Sequence, residues 1–198
     1  MLTDTKVLFY RGQKKMDQVI NLPITSEEAR SLVAGEKLLL NGIMYTARDA
    51  AHKRIIDEHK EGKAFPMDME NVAIYYAGPA PAKPGAIIGS CGPTTSGRMD
   101  AYAPLFMAWG QTVMIGKGLR NEGVIEAMKK EGAVYLTAIG GAGALLSKCV
   151  KEMTCVAYED LGAEAIYKLK VENFPVIVTI DSEGNNLYTT GKEAYCKA

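Results

Sequence analysis

From residue 86 onward the chain alternates short apolar runs with amphipathic stretches of helical spacing. IIGS precedes RMDAYAPLFMAWG, QTVMIG precedes NEGVIEAMKKEG, and AVYLTAIG precedes GALLSKCVKEM. A strand TCVAYE, a short helix over 163–169 and a closing hairpin, VIVTIDSEGNNLY, complete the predicted series. Strand followed by helix, repeated, predicts βαβ units and a largely parallel sheet.

The first part of the chain reads less regularly. Residues 21–24 predict a short edge strand, because Pro23 has no N–H to give to a ladder on a second side. Thr25, followed three residues later by Glu28, has the form of a capping box, so a short helix begins there and Gly35 closes it. EKLLL and GIMYT read as two strands around an Asn41-Gly42 turn. Residues 49–60 predict a helix anchored by Ala50, Ile55 and Ile56 and stopped at Gly62. A strand follows over 72–76, then the Pro- and Gly-dense loop AGPAPAKPGA, which reads as a surface connection. There is no internal repeat, and one domain is expected across residues 1–198.

Composition narrows the function classes. The chain has 198 residues, 47% hydrophobic and 23% charged, enough to bury a sizeable core. Lys plus Arg and Asp plus Glu are both 23, so there is no basic excess with which to neutralise phosphates, and no nucleic-acid partner is expected. The N-terminal MLTDTKVLFYRGQKK lacks the pattern of a secretory signal. No run approaches the ~18 apolar residues of a membrane span, so no membrane partner is expected either. Cys91, Cys149, Cys155 and Cys196 are scattered without CxxC spacing and read as reduced thiols, which places the protein in the cytoplasm.

Two glycine-rich turns invite nucleotide readings. Gly92 to Met99 approaches the phosphate-binding G-x-x-x-x-G-K-[ST] but has Arg98 for the lysine and Met99 for the magnesium-holding hydroxyl. Gly141-Ala142-Gly143-Ala144-Leu145-Leu146 has the place of a dinucleotide fingerprint, with Glu159 and Asp160 at a plausible distance for a ribose. Its last position is Leu146, where close helix packing wants Gly or Ala, so a tight turn packed on a neighbouring backbone is the better reading.

GPTTSGRMD, residues 92–100, keeps its chemistry without a nucleotide. A strand-to-helix turn offers unpaired N–H groups and the positive end of a helix dipole. Thr94 and Thr95 add hydroxyls, and Arg98 adds a fork that can grip a carboxylate with two bonds. If the helix starts by Thr94 or Thr95, Thr94 and Arg98 share a face one turn apart. The plainer alternative makes Thr94 a helix cap and Arg98 a solvent residue. Arg48 and Asp49 in TARDAAHK stand where a strand meets a helix, and read otherwise as a surface Arg and an N-cap. Lys117 in MIGKG lies between glycines, and reads otherwise as an exposed loop lysine. His52 and His59 are seven residues apart, too far for the i, i+4 metal pair, and read as surface or supporting histidines.

GPTTSGRMD, with TARDAAHK before it and IGKG after it, resembles the β subunit of two-subunit class I fumarases. The resemblance extends to the C-terminal domain of single-chain class I fumarases and to the β subunit of L-tartrate dehydratase, and it covers nearly the whole chain. It implies an α/β fold, a swivelling β/β/α domain with a largely parallel or mixed sheet flanked by helices. It further implies reversible hydration of fumarate to L-malate, a step of the tricarboxylic acid cycle, at a site shared with a cysteine-bearing α subunit. A 4Fe-4S cluster would be held by that α subunit and not by this chain, and the αβ units would assemble further. By motif, Thr94 corresponds to the catalytic hydroxyl, and Arg48, Arg98 and Lys117 to the residues that bind the dicarboxylate, while the carboxylate base lies on the partner. Asp100 matches the fumarases, where the tartrate enzymes tend to carry Glu.

Two alternatives stay open. One is a tartrate or other hydroxy-dicarboxylate dehydratase of the same family. The other is of a different class, a noncatalytic dinucleotide-binding module using GGAGA.

Overall fold

The computed structural model describes residues 18–195. Its strands are β1 (Gln18–Leu22), β2 (Lys37–Thr46), β3 (Val72–Tyr75), β4 (Gln111–Gly116), β5 (Val134–Thr137), β6 (Val150–Ala157) and β7 (Ile166–Ile180). Its helices are α1 (Ser26–Arg30), α2 (Asp49–Lys60), α3 (Ala103–Ala108), α4 (Glu122–Glu131), α5 (Gly143–Leu146) and α6 (Leu187–Tyr195). β1 to β5 pair in parallel, each with the next, while β7 runs antiparallel to β5, β6 and β2. Because β2 pairs with both β3 and β7, the path β2-β3-β4-β5-β7 returns on itself. β1 and β6 are appended at its edges. The fold is mixed α/β, with a largely parallel sheet flanked by helices.

Period-2 alternation along these strands sorts their side chains into two clusters. On β3, Ala73 and Tyr75 join the cluster enclosed by the sheet, together with Leu40, Val113, Leu136, Phe174 and Val178. Ile74 and Tyr76 face the other way, joining Ile55 of α2, Phe106 of α3 and Met128 of α4. One sheet therefore buries both faces, one within its own returning strands together with Ala29 of α1 and Leu146 of α5, the other under α2, α3 and α4.

Much of the predicted element series holds. Thr25 forms the capping box with Glu28, α2 spans the residues expected of it, and Asn121 caps α4 through the Val124 N–H at 2.9 Å. Pro23 follows an edge strand, as its missing donor requires.

Other elements differ. EKLLL and GIMYT are one strand, not a hairpin. Gly42 takes φ 103° where the β2–β7 register slips, and a Cβ there would run into the Leu22 backbone, so a bulge and not a turn absorbs Asn-Gly. IIGS forms no strand, because its backbone closes on its own loop through Ala80 N–H to Ser90 O at 2.9 Å and Gly89 N–H to Ala80 O at 3.2 Å. RMDAYAPLFMAWG divides into a 3-10 turn, Ser96–Met99, and α3, whose first turn takes Pro104. Beyond α5 and a 3-10 turn, Ser147–Cys149, the chain turns to strand at Val150, where pairing with β7 overrides the helical spacing of KCVKEM. Residues 166–169 are the start of β7, not a helix, with Leu169 and Val171 buried and Lys168 and Lys170 out. The closing hairpin is the end of β7 plus a helix start, since the Asn186 side chain accepts from the Tyr188 N–H at 3.0 Å.

Candidate functional site

Arg48, Thr94 and Lys117 each follow the carboxyl end of a parallel strand: β2, β3 and β4 in turn. Adjacent parallel strands end side by side, which is where open α/β sheets place their ligands. GPTTSGRMD is pinned there first by its backbone. The Thr94 N–H donates to Tyr76 O at 2.7 Å, the Lys117 N–H to Thr94 O at 3.3 Å, and the Ser96 N–H to Lys117 O at 2.8 Å. Thr95 thereby forms a parallel bridge with Lys117.

Below the loop sits Ser96, fully buried. Its hydroxyl accepts from the Lys117 N–H at 3.1 Å and lies 2.9 Å from the Tyr135 hydroxyl, which also reaches Gly118 O at 2.9 Å. Gly116 leaves the room for it, because a Cβ at that position would collide with the Ser96 side chain. The loop's far end is held by a buried ion pair. Arg120 Nε donates to Asp100 Oδ1 at 2.6 Å, and Asp100 Oδ2 accepts from the Asn121 N–H at 2.7 Å. The Arg120 guanidinium lies over the rings of Tyr76 and Tyr135, 5.4 and 5.1 Å from their centroids.

Thr94 caps no helix. The 3-10 turn begins at Ser96, with Thr95 in the cap position and no side-chain cap, so Thr94 and Arg98 do not share a helical face. Among the described residues the Thr94 hydroxyl has no hydrogen-bond partner and the Lys117 ammonium no ion pair, though Thr94 is half-buried and Lys117 lies over Gly140. Arg98 is half exposed but not idle, with Nη2 2.6 Å from Asp49 Oδ2. Arg48 takes the cap position of α2 and Asp49 the first helical one. The Arg48 guanidinium pairs with Glu164 Oε1 at 3.0 Å and rests where Gly78 has no side chain. Arg48, Asp49 and Arg98 thus form one group, and Thr94 and Lys117 another, joined through the 3-10 turn.

His52 is no surface residue. It is fully buried, its Nδ1 is 2.8 Å from Arg48 O, and burial pushes its imidazole down to about 4. His59 is exposed and stacks on Phe65. The GGAGA turn is packing: α5 has four residues, the Cys91 N–H donates to Gly143 O at 3.1 Å, and Gly143 meets the Gly92 backbone. Asp160, offered as a ribose carboxylate, pairs with Arg54 at 2.7 Å. Sequence reasoning missed Ser96, Tyr135, Arg120, Asp49 and Glu164 as supports. Only Asp49 had a local signal, its place beside Arg48 at a helix start.

Among the described residues no three His, Cys, Asp or Glu side chains gather as metal ligands. Cys91 is buried and its thiol pushed up to about 12 by burial, Cys149 is half-buried and Cys155 exposed. Cys196 lies outside the described residues. No described helix is long and apolar enough to cross a membrane.

Comparison with known proteins adds an independent line. Residues 4–191 match the family described as Fumarase C-terminus. The chain is 43% identical over 157 residues to fumarate hydratase 2 of Leishmania major, a match covering 78% of this chain and 28% of that protein. It is 42% identical over 154 residues to the aerobic class I fumarate hydratase of Escherichia coli strain K12, covering 77% and 28%. To the putative L(+)-tartrate dehydratase subunit beta of Methanocaldococcus jannaschii it is 38% identical over 181 residues, covering 88% of this chain and 93% of that one. The chain thus spans under a third of the fumarate hydratases it matches, and nearly all of the beta subunit.

Proposed function

The chain belongs to the Fumarase C-terminus family, and from that premise we propose that it is the β subunit of a class I fumarate hydratase. With a separate α subunit it would interconvert fumarate and L-malate, in the cytoplasm and as part of the tricarboxylic acid cycle. The observation that carries this reading is the backbone pairing of Thr94 and Ser96 with Lys117, which brings the stem of a hydroxyl and the stem of an ammonium, neither partnered among the described residues, to neighbouring strand ends. Arg48 and Arg98 stand within the same loop cluster.

The roles follow from charge. Taking a proton from the carbon next to a carboxylate builds negative charge on that carboxylate, and Arg98, Arg48 and Lys117 are cations placed there before the reaction begins. Their cost of organisation is met by the fold, through Asp49, Glu164 and the Lys117 backbone. Thr94 offers a hydroxyl whose backbone is held at both N–H and C=O, so it can pass or hold a proton at Oγ without moving the chain. The carboxylate base is assigned to the α subunit.

A 4Fe-4S cluster belongs to the same proposal as the α subunit's group, supplying the Lewis acid for loss of hydroxide. The described donors of this chain do not make a place for it. Leu119 and Ile139, on the loops after β4 and β5, and Leu145 of α5 are 59%, 58% and 65% exposed, in the segments whose Gly140 and Gly143 approach Lys117 and Gly92. We assign them to the surface that the α subunit covers, with αβ units assembling into a higher oligomer.

A second reading has its own observation. The match to a tartrate dehydratase beta subunit runs over 93% of that protein, so a hydroxy-dicarboxylate dehydratase is tested beside fumarate hydratase. The chain is assayed alone and with its anaerobically reconstituted α partner on fumarate, L-malate and L-tartrate. Activity only in the complex, on fumarate and malate, is expected; robust activity of the chain alone overturns the division of labour. In the same complex Thr94→Val loses at least ~100-fold in kcat with cluster and melting temperature retained, and Thr94→Ser keeps part of the rate. Near-normal turnover by Thr94→Val removes the hydroxyl from the chemistry.

A further inference from the structure

Four charges of alternating sign cross the site: Glu164, Arg48, Asp49 and Arg98. Three different elements supply them, the 3-10 turn Glu159–Glu164, the start of α2, and the turn Ser96–Met99. Within this row Asp49 is spent unevenly. Its Oδ2 takes Arg98 Nη2 at 2.6 Å, while its Oδ1 is buried with no hydrogen-bond partner. Arg48 Nε is also buried without one, and the two unpartnered atoms lie 3.8 Å apart, an ion pair too long to be a hydrogen bond.

We propose that Asp49 is a positioning residue that stores Arg98 while the site is empty and hands it to the incoming carboxylate of a dicarboxylate substrate. The inference rests on the dicarboxylate reading of the site. Arg98 is tied to Asp49 through Nη2 alone and is half exposed, so a substrate carboxylate that accepts two parallel N–H bonds outcompetes the internal one. Asp49 is not then stranded. A shift of roughly 1 Å brings Oδ1 to Arg48 Nε, and two buried groups without partners satisfy each other. The handover leaves Arg48 anchored on Glu164 and keeps every charge in the row compensated.

An internal competitor lowers affinity for the ligand it competes with, and it helps the product leave. Asp49 therefore holds dicarboxylate affinity down and release up. Removing its charge has a specific signature: KM and kcat fall together, whereas loss of a merely structural residue raises KM or leaves it alone.

The test uses the assembled complex and succinate, a saturated four-carbon dicarboxylate that cannot be hydrated, with binding read by calorimetry. Asp49→Asn is expected to bind succinate about five- to tenfold more tightly, Asp49→Ser likewise, and Asp49→Glu to return toward the parent. In an Arg98→Gln background the Asp49→Asn change loses its effect, which marks the coupling as one through Arg98. Succinate binding that is unchanged or weaker in both folded Asp49 variants, with Arg98→Gln still weakening it, overturns the handover and leaves the dicarboxylate reading standing. Unweakened binding by Arg98→Gln alone overturns that reading, and the handover with it.

Discussion

On the enclosed face of the sheet, Leu40, Val113, Leu136, Phe174 and Val178 build a mainly apolar cluster, into which Tyr75 brings a hydroxyl that donates to Cys91 O at 2.8 Å. On the helix-covered face the same strands carry Tyr76 and Tyr135 against a buried histidine, a buried arginine and a buried serine. The polar groups lie on the side that supports GPTTSGRMD and Lys117. Buried polar groups are costly unless paired, so their concentration under the loops identifies that face as the one fitted to position the site. The enclosed face supplies stability that any well-packed set of aliphatic side chains could supply.

Paired core substitutions break or sharpen this contrast most strongly. Phe174→Ala on the enclosed face is expected to cost about 3–5 kcal/mol in urea unfolding of the full chain, with turnover per folded complex unchanged. Arg120→Met on the other face strands Asp100, whose side chain is 11% exposed, and costs a similar 3–5 kcal/mol or so. It also loosens the end of the loop, and turnover per folded complex falls on the order of tenfold or more. Equal turnover in both folded variants would erase the distinction between the faces.

Acid exposes the same asymmetry. His52 is held neutral in the fold, down to about 4, and takes up a proton near its ordinary 6.5 once unfolded. Between those values the unfolded chain binds more protons, so stability is full above about 6.5 and is lost as pH falls toward 4. The loss from this group is about 3 kcal/mol. His52→Asn is expected to flatten that part of the stability-against-pH curve whatever its own baseline, while Phe174→Ala keeps the slope. An unaltered slope in His52→Asn assigns the acid sensitivity elsewhere.

The smallest effect is the most local. Tyr135→Phe removes a hydroxyl placed between Ser96 and Gly118. It costs about 1 kcal/mol of stability, and raises KM for fumarate more than it lowers kcat, because the backbone of Lys117, from which the ammonium extends, is held through Ser96. A kcat loss without a KM change would detach Ser96 from binding.

Legibility in the sequence follows the same division. The chemistry of the loops is visible because Thr, Arg and Lys between glycines are unusual residues for a strand end, and the structure sets Arg48 with Arg98 around Asp49 and Thr94 with Lys117 through backbone bonds. Their supports are not visible. Nothing local to Arg120 or His52 announces burial, since both are charged or half-charged residues that usually face water, and only packing between distant elements encloses them. β7 was hidden for a related reason. Lys168, Lys170 and Glu172 give it helix-forming composition, and its strand state depends on β2 and β6, far away in sequence. Gly42 misled by offering a turn dipeptide where a neighbouring backbone needed space.

The return of β7 onto β2 sets the order in which the molecule can become competent. Its register joins Lys37 to Ile177 and Thr46 to Tyr167, contacts separated by most of the chain. Non-local pairings of this kind form slowly, since the intervening segment must be drawn together before they stabilise anything. Arg48, Thr94, Arg98 and Lys117 all precede Ile166, the first residue of that strand. During synthesis, then, all four of these residues emerge before the element that closes their frame. Glu164, the acid that anchors Arg48, emerges only two residues ahead of it. A growing chain carries the charges of its site well before it can hold them in place, and translation must pass β7 before the ends of β2, β3 and β4 are locked into a closed sheet.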